Sequence, residues 1–393
     1  MSNKNKVLSF LLGLVCLLSV VIFIGLVQIN GVLVAKHRFP LFACLIVIAF
    51  VLFVLLRKNN KKIFIAIIAL VYSLLLLLAS FYIYKTYAAF HRVADQEEEA
   101  IDPDEAKKDL ERQGIKISGD LQIDNAVENK PVGADGSFTV YFSGIDRSGK
   151  ISGVSRTDVN LIASVNPKTG KMLITTLPRD SYVKIAGGGH DQYDKLTHSG
   201  IYGIASSVKT LENLFGIDIN YYFRVNFTSL ERIVDVLGGI DVENPVTFQA
   251  NGKTFAQGTI HLNGKDALTF SRERHHLADG DRDRGRNHQR VLIAILKKAM
   301  SPSILLNYPS LMDTLGDATQ TNMPVDKMTE LINEQLEKGT KWTYDTAEVS
   351  GTGSTGKLPS YAMPGWKLYM YRLNEESVRA NASKMKEVLG IGK

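Results

Sequence analysis

The chain has 393 residues, 45% of them hydrophobic, and a formal net charge of +6. That length exceeds one minimal domain, and so mild a charge does not by itself point to nucleic acid. The two cysteines, Cys16 and Cys44, lie in apolar stretches near the N-terminus. Disulfides and thiol chemistry are thereby excluded from the rest of the chain, where a metal site must use oxygen or imidazole ligands.

Three nearly continuous apolar segments come first: Val7–Val27, Phe39–Leu56 and Ile63–Tyr84. The first and third reach the roughly 20 residues that span a bilayer, and the second is slightly shorter. A cleaved signal peptide would explain the first alone, but no small-residue cleavage pattern follows it and two more apolar segments do. Residues 1–90 are therefore expected to be a membrane region of three transmembrane helices. With the N-terminus cytoplasmic, the inner flanks hold Lys4, Lys6, Arg57, Lys58, Lys61 and Lys62. The outer flanks hold Lys36, Arg38, Lys85 and Arg92, and this imbalance puts everything after about residue 90 outside.

Residues 91–135 are charged and read as a stalk or small accessory segment. They include the acidic run QEEEA and a short helix capped by Asp102 or Asp104, running to Arg112 and ended by Gly114. From Gly136 strand and helix signals alternate. Strands are predicted at Phe138–Ser143, Asp158–Val165, Met172–Leu177, Tyr221–Val225, Ile240–Val242, Trp342–Ser350 and Lys367–Leu373. In the second, Val159, Leu161, Ala163 and Val165 face one way and Asp158, Asn160, Ile162 and Ser164 the other. Helices are predicted within Leu196–Phe215, from Thr228 or Ser229 to Leu237, and over Gly264–Phe270 behind Asn263. Others follow at Arg290–Met300, Ile304–Leu315, Val325–Lys338 and Asn374–Leu389. Gly187–Gly189 reads as a loop and SGTGSTGK (350–357) as low in complexity. Interleaved strands and helices predict that residues 136–393 form a three-layer α/β/α domain with a central mixed sheet.

Four polar clusters fall at expected strand ends or loops: SGIDRSG (143–149), SRTD (155–158), LPRDSYV (177–183) and SRERHHLADGDRDRGRNHQR (271–290). The last holds six arginines, four acids and three histidines. A planar guanidinium gives two parallel charge-assisted hydrogen bonds to a phosphate, so Arg156, Arg179, Arg272, Arg274 and Arg284 can form an anion site if they converge. Without a polyanion or interleaved acids such a cluster repels itself. For Arg282, Arg286 and Arg290 the plainer reading is exposed ion pairs, each worth about 0–1 kcal/mol. Arg179 is different: a Pro-Arg-Asp turn ending an apolar strand places it at the sheet's carboxyl edge, where α/β folds bind ligands. Asp146 and Asp158 are either turn residues or two carboxylates for a Mg²⁺ that also bridges phosphate oxygens. His275 and His276 are adjacent and lack zinc-site spacing, and neither a P-loop nor a GxSxG elbow is present.

In this order the motifs resemble the LytR-CpsA-Psr family of Gram-positive cell-envelope proteins. The resemblance rests on SGIDRSG, Arg-Thr-Asp at 156–158, VNPKTGKMLITTLPRD, KLTHSGIYG, VNFTSLERIVDVLGGIDV, HLNGKDALTFSRER and GDRDRGRNHQRVL. Three spans and a short stalk look like its capsule-linked branch. The resemblance implies a Mg²⁺-dependent phosphotransferase that attaches a glycopolymer, such as capsular polysaccharide or teichoic acid, from a polyprenyl-pyrophosphate carrier to peptidoglycan. By similarity Arg156, Arg179, Arg272, Arg274 and Arg284 bind the pyrophosphate, and Asp146 and Asp158 hold Mg²⁺. Asp158, Arg179 and Arg284 are the expected catalytic residues, supported by Asp281, Gln289 and Lys195. The family often shows an Arg-Gln pair shortly after the position of Arg284, whereas Asn287-His288 precedes Gln289 here.

Two other readings fit the same residues. A nucleic-acid binder, such as a membrane-bound transcriptional regulator, is suggested by arginine density but conflicts with an external location and lacks a helix-turn-helix or basic helix. A non-catalytic receptor for lipid-linked saccharides would carry the same motifs.

Overall fold

The structure, a computed structural model, describes residues 3–31, 35–58, 62–94, 102–112, 114–115, 121–145, 154–301 and 307–391. Asp146, the acidic run at 96–100 and the expected helix start at Ile304 lie outside these. Two compact units result: Met1–His91 with Pro324–Gly339, and Arg92–Met323 with Thr340–Lys393.

The first unit is built on helices α1 (Asn3–Ile29), α2 (Ala35–Lys58) and α3 (Lys62–Ala94). Among the described residues these three are long and apolar enough to cross a membrane, with mean hydropathy of 3.1, 3.1 and 2.8 over their spans. Where every backbone group must be satisfied internally, helices are the expected form. Tyr72 donates its hydroxyl to Leu45 O at 2.8 Å, and Ser73 Oγ reaches Cys16 Sγ at 3.1 Å, tying α3 to both other helices.

In the second unit α4 (Pro103–Arg112) begins where Asp102 Oδ1 accepts the Asp104 amide. Ala106, Leu110, Ile115 and Leu121 are buried in the main core, so part of the expected stalk packs into the domain. The central sheet takes β1 (Phe138–Ile145), β2 (Thr157–Asn166) and β3 (Lys171–Thr176) from the first motifs. The hairpin β4 (Tyr182–Ile185) and β5 (Gln192–Lys195) follows, then 3₁₀ turns over Leu196–Tyr202, α5 (Ile204–Phe215) and β6 (Tyr221–Asn226). Next are α6 (Phe227–Val236), β7 (Ile240–Asn244), β8 (Phe248–Ala250), β9 (Lys253–Phe255), β10 (Gly258–Leu262) and α7 (Gly264–Arg272). The chain continues through α8 (Asp281–Ala299), α9 (Tyr308–Ala318), β11 (Thr319–Thr321) and, in the first unit, α10 (Val325–Lys338). It ends with β12 (Thr343–Glu348), β13 (Gly351–Thr355), β14 (Tyr369–Leu373) and α11 (Glu375–Leu389).

Among the described residues the main sheet runs β11-β6-β1-β2-β3-β12. β1 pairs parallel with β6 and β3 with β12, while β2 is antiparallel to both β1 and β3. The sheet is therefore mixed, as expected. The carboxyl ends of β1, β3, β6 and β12 share one edge with the start of β2. Tyr141, Ile162 and Leu173 of the sheet form one core with Val208, Leu211 and Phe215 of α5 and Met385 of α11. Full burial of each such side chain stabilises by about 1.5–3 kcal/mol.

Several local readings are corrected. The helix expected from Arg290 starts at Asp281, so the arginine block is half helix rather than loop. Asp281 and Asp283 occupy its positive first turn, and Arg284 and Arg286 pair back onto them three residues on. Asn226, not Thr228 or Ser229, caps α6 by accepting the Ser229 amide at 2.9 Å. The low-complexity run supplies β13, paired antiparallel to β14. Gly187–Gly189 forms a 3₁₀ turn at the tip of the β4–β5 hairpin.

Gln289 is buried, and its Nε2 donates to Ile174 O at 2.8 Å and Ala347 O at 2.7 Å. It stitches α8 to β3 and β12, so its place is structural and off the lining of the arginine cavity, as are those of Asp281 and Lys195. Gln289→Ala is expected to cost about 2 kcal/mol of stability, read as a lower urea midpoint for the full chain in detergent.

Candidate functional site

The site lies at the shared strand edge. At the start of β2 the register runs Gly144↔Val159 and then Ile145↔Thr157, leaving Asp158 unmatched in a β-bulge. A bulge re-aims side chains and breaks the strict alternation expected from the sequence, so consecutive Asp158 and Val159 line one cavity. Arg179, in the turn after β3, donates from Nη1 to Asp158 Oδ2 at 2.5 Å. Thr197 donates to Asp158 Oδ1 at 2.9 Å, so both carboxylate oxygens are held.

That turn is clamped by the KLTHSGIYG segment. Thr197 N donates to Arg179 O and Leu196 N to Ser181 O, each at 2.8 Å. Lys195 Nζ donates to Asp180 Oδ1 at 2.7 Å. Asp180 thus sits between Lys195 and the Arg179 guanidinium, whose Nε lies 3.9 Å from the same Oδ1, while Nη1 of Arg179 takes Asp158. Gly200 keeps this segment close to β2, since a Cβ there would collide with the Ser155 carbonyl.

The opposite wall comes from α7, the following loop and α8. Arg272, at the end of α7, lays its guanidinium over the Phe227 ring at 4.4 Å. Glu273 accepts the amides of His275 at 2.5 Å and His276 at 2.9 Å, bending the chain between Arg272 and Arg274. Burial works against ionisation of Glu273, but those amides hold its carboxyl below the usual range. Arg284, on the first turn of α8, pairs with Asp281. Gly285 lets this turn rest on the end of β3, where a Cβ would lie 3.0 Å from Thr176 Oγ1.

The resulting cavity of about 310 Å³ is lined by Asp158, Val159, Arg179, Phe227, Arg272, Arg274, His275, Arg284 and His288. Four guanidiniums face one carboxylate, a formal excess of three positive charges among these five groups. Burial pushes Arg284 below the usual arginine range; Asp281 opposes this, and Arg179 and Arg274 reinforce it by repulsion. Burial likewise raises the Asp281 carboxyl. Like charges crowded in a partly desolvated cavity are the electrostatic signature of an anion site. A polyanion of diphosphate size relieves the repulsion and satisfies the guanidinium forks in pairs.

Of the expected pyrophosphate ligands, the structure brings Arg179, Arg272, Arg274 and Arg284 together. Arg156 is half-buried beside the bulge and does not line the cavity. Of the metal pair, Asp158 faces the cavity and Asp146 lies outside the described residues. Asp281 stands behind Arg284 as its counter-ion. Arg282 and Arg286 form a network with Glu348, with Arg286 also on Asp279 and Asp283; Arg290 donates to Asn287. These stand apart from the cavity lining. Sequence reasoning missed Thr197, Asp180, Phe227, His275 and His288, whose roles depend on long-range packing. His288 alone carried a signal, because it follows Arg284 by four residues on one helix face.

Residues 85–387 match the LytR_cpsA_psr family. A relative from Bacillus cereus, polyisoprenyl-teichoic acid–peptidoglycan teichoic acid transferase TagU, is 30% identical over 273 residues, covering 69% of this chain and 83% of the relative. The crystal structure of B. subtilis TagU is 29% identical, with a TM-score of 0.50, covering 64% of this chain and 96% of that one. The structure of TagT bound to LI-WTA is 27% identical, with a TM-score of 0.52, covering 70% and 99%.

Desolvation at the cavity wall and the Arg284 charge push the His288 imidazole down to about 3, which favours its neutral form in the folded protein. Between pH 6.5 and about 3 the unfolded chain binds the extra proton, and stability falls as pH falls through that window. His288→Gln removes this loss. Its unfolding free energy, read from urea titrations, is expected to fall less than that of the parent protein between pH 7 and pH 5, by at most about 2 kcal/mol.

Proposed function

The chain belongs to the LytR-CpsA-Psr family, and from that membership we propose that it is a membrane-anchored phosphotransferase moving a glycopolymer from a polyprenyl-pyrophosphate carrier onto peptidoglycan. One observation carries the reading: four guanidiniums converge on a cavity whose described lining holds a single carboxylate and no hydroxyl or thiol nucleophile. Such a site suits direct displacement at phosphorus, where positioning and charge neutralisation do most of the work. Relatives named as teichoic acid transferases support the substrate class. Placement in the capsule-linked branch rests on the three spans and the short segment that follows them.

In this reading a sugar hydroxyl of peptidoglycan attacks the phosphorus that carries the glycopolymer. The new P–O bond forms as the bond to the bridging oxygen breaks, and the lipid phosphate leaves with that electron pair. Asp158 takes the hydroxyl proton, and Arg179 holds that carboxylate in place. Arg272, Arg274 and Arg284 grip the non-bridging oxygens and stabilise the charge that grows on the departing phosphate. Phe227 fixes Arg272 by stacking, so less side-chain freedom is lost on binding.

Mg²⁺ belongs to the same proposal. No group of three His, Cys, Asp or Glu side chains suited to a metal occurs among the described residues. An ion at Asp158, with Asp146 as the second expected ligand, would draw most of its shell from phosphate oxygens and water. That donor set fits hard Mg²⁺ and not zinc. When bound, it supplies further charge neutralisation to the phosphoryl oxygens.

The proposed location follows the basic flanks: N-terminus inside the cytoplasmic membrane, catalytic domain outside. A C-terminal tag is expected to be lost when intact cells are treated with external protease; a protected tag contradicts the external site. With purified full-length chain, labelled lipid-pyrophosphate glycan, Mg²⁺ and peptidoglycan acceptor, Arg179→Ala and Asp158→Ala are each expected to lower transfer at least about a hundredfold with the fold retained. Full transfer by both variants would refute the assignment.

A further inference from the structure

The diphosphate cavity accounts for the donor but leaves the second substrate without a grip, because a sugar hydroxyl offers the guanidiniums no phosphate. A second, larger cavity of about 680 Å³ opens between the β4–β5 hairpin, the end of α5 and the β14–α11 junction. Its wall carries Tyr182 and Tyr193, stacked with ring centroids 5.1 Å apart and 23° between planes. Lys184 Nζ sits 5.7 Å over the Tyr193 ring, and Arg372 and Asn213 face the same space. Tyr182 follows Arg179 by three residues, so their Cα atoms are at most about 11 Å apart, within reach of a short oligosaccharide.

A separate observation points to the ligand. Among the described residues of this unit the exposed large aromatic rings are Tyr193, Tyr361, Trp366 and Tyr369, 42–59% exposed. Of these, Tyr193 stands on the groove wall, whereas Tyr361, Trp366 and Tyr369, before and at the start of β14, lie outside its lining. Exposed aromatic faces, flanked by polar and charged groups in a groove, suit sugar rings: each has an apolar face and a polar rim. The groove carries Lys184, Arg372 and Arg379 against Asp191 and Glu375, an excess of one positive charge.

We propose that this groove binds the glycan strand of the acceptor, whose stem peptides bear carboxylates, and presents its hydroxyl to the diphosphate cavity. The inference rests on the transfer reading above and assigns its second substrate. The donor is already held by its pyrophosphate; the acceptor is the partner that requires an independent surface. Tyr193 supplies the stacking face and Arg372 the carboxylate contact.

The test uses full-length protein in detergent and uncrosslinked, solubilised peptidoglycan oligosaccharides, with binding measured in the absence of donor. Tyr193→Ala and Arg372→Ala are each expected to weaken oligosaccharide binding and raise the acceptor KM roughly three- to tenfold. Donor KM and kcat stay unchanged, and Tyr193→Phe keeps parental binding. Unchanged oligosaccharide affinity in both alanine variants overturns the proposal, as does a rise in donor KM alone. Absence of turnover in the parent protein, with binding still sensitive to these variants, would sink the transfer reading and leave the groove assignment standing.

Discussion

The ion pair between Asp158 and Arg179 is the constraint around which the site is arranged. It joins the start of β2 to the turn after β3 across the sheet edge, with side-chain exposures of only 11% and 20%. A partly desolvated guanidinium left without a partner costs several kcal/mol, so the pair must be geometrically secure. The bulge aims the carboxylate, Thr197 holds its second oxygen, and backbone bonds from residues 196 and 197 fix the turn. Removing any of these loosens a charge rather than a surface contact.

α8 shows how one charged stretch serves separate purposes. Asp281, Arg284 and His288 recur at helical spacing and belong to the cavity wall or its counter-ion. Arg282 and Arg286 recur on another face and close onto Glu348 at the end of β12. Gln289 enters the sheet, and Asn287 Nδ2 donates to Phe270 O at 3.0 Å, tying α8 to α7. Anion gripping, ion-pair networking and structural stitching are thus separated by helix phase. The half-buried pairs of Arg282 and Arg286 with Glu348 brace α8 against β12, and the buried amides hold the arginine wall in position.

Reactive charge and ligand-holding surface are divided in the same way. The diphosphate cavity is small, cationic and backed by rigid strand ends. The aromatic groove is larger and more exposed, and it is connected to the cavity through residues 179–182 and the backbone bond from Tyr371 N to Asp180 O. The displacement proposed above, between two large substrates, calls for both: a charged centre for the phosphorus and a wide rim for a polymer.

The amino-acid order alone determined the three apolar spans, the strands leading to Gly144 and Pro178, the mixed α/β class and the place of Arg179 at the sheet's carboxyl edge. Each depends on local periodicity or on a turn residue with its own conformational preference. The order of motifs also singled out the arginines that converge, although not which of five would face the cavity. Only the tertiary structure decided that. It turned Asp158 out of the pleat, left Arg156 off the lining, moved Gln289 into the sheet and set His288 beside Arg284. It also assembled the aromatic groove from segments near residues 182, 193, 213 and 372. Such facts follow from strand register, helix phase and packing between distant segments, and those are settled only when the whole chain buries its core.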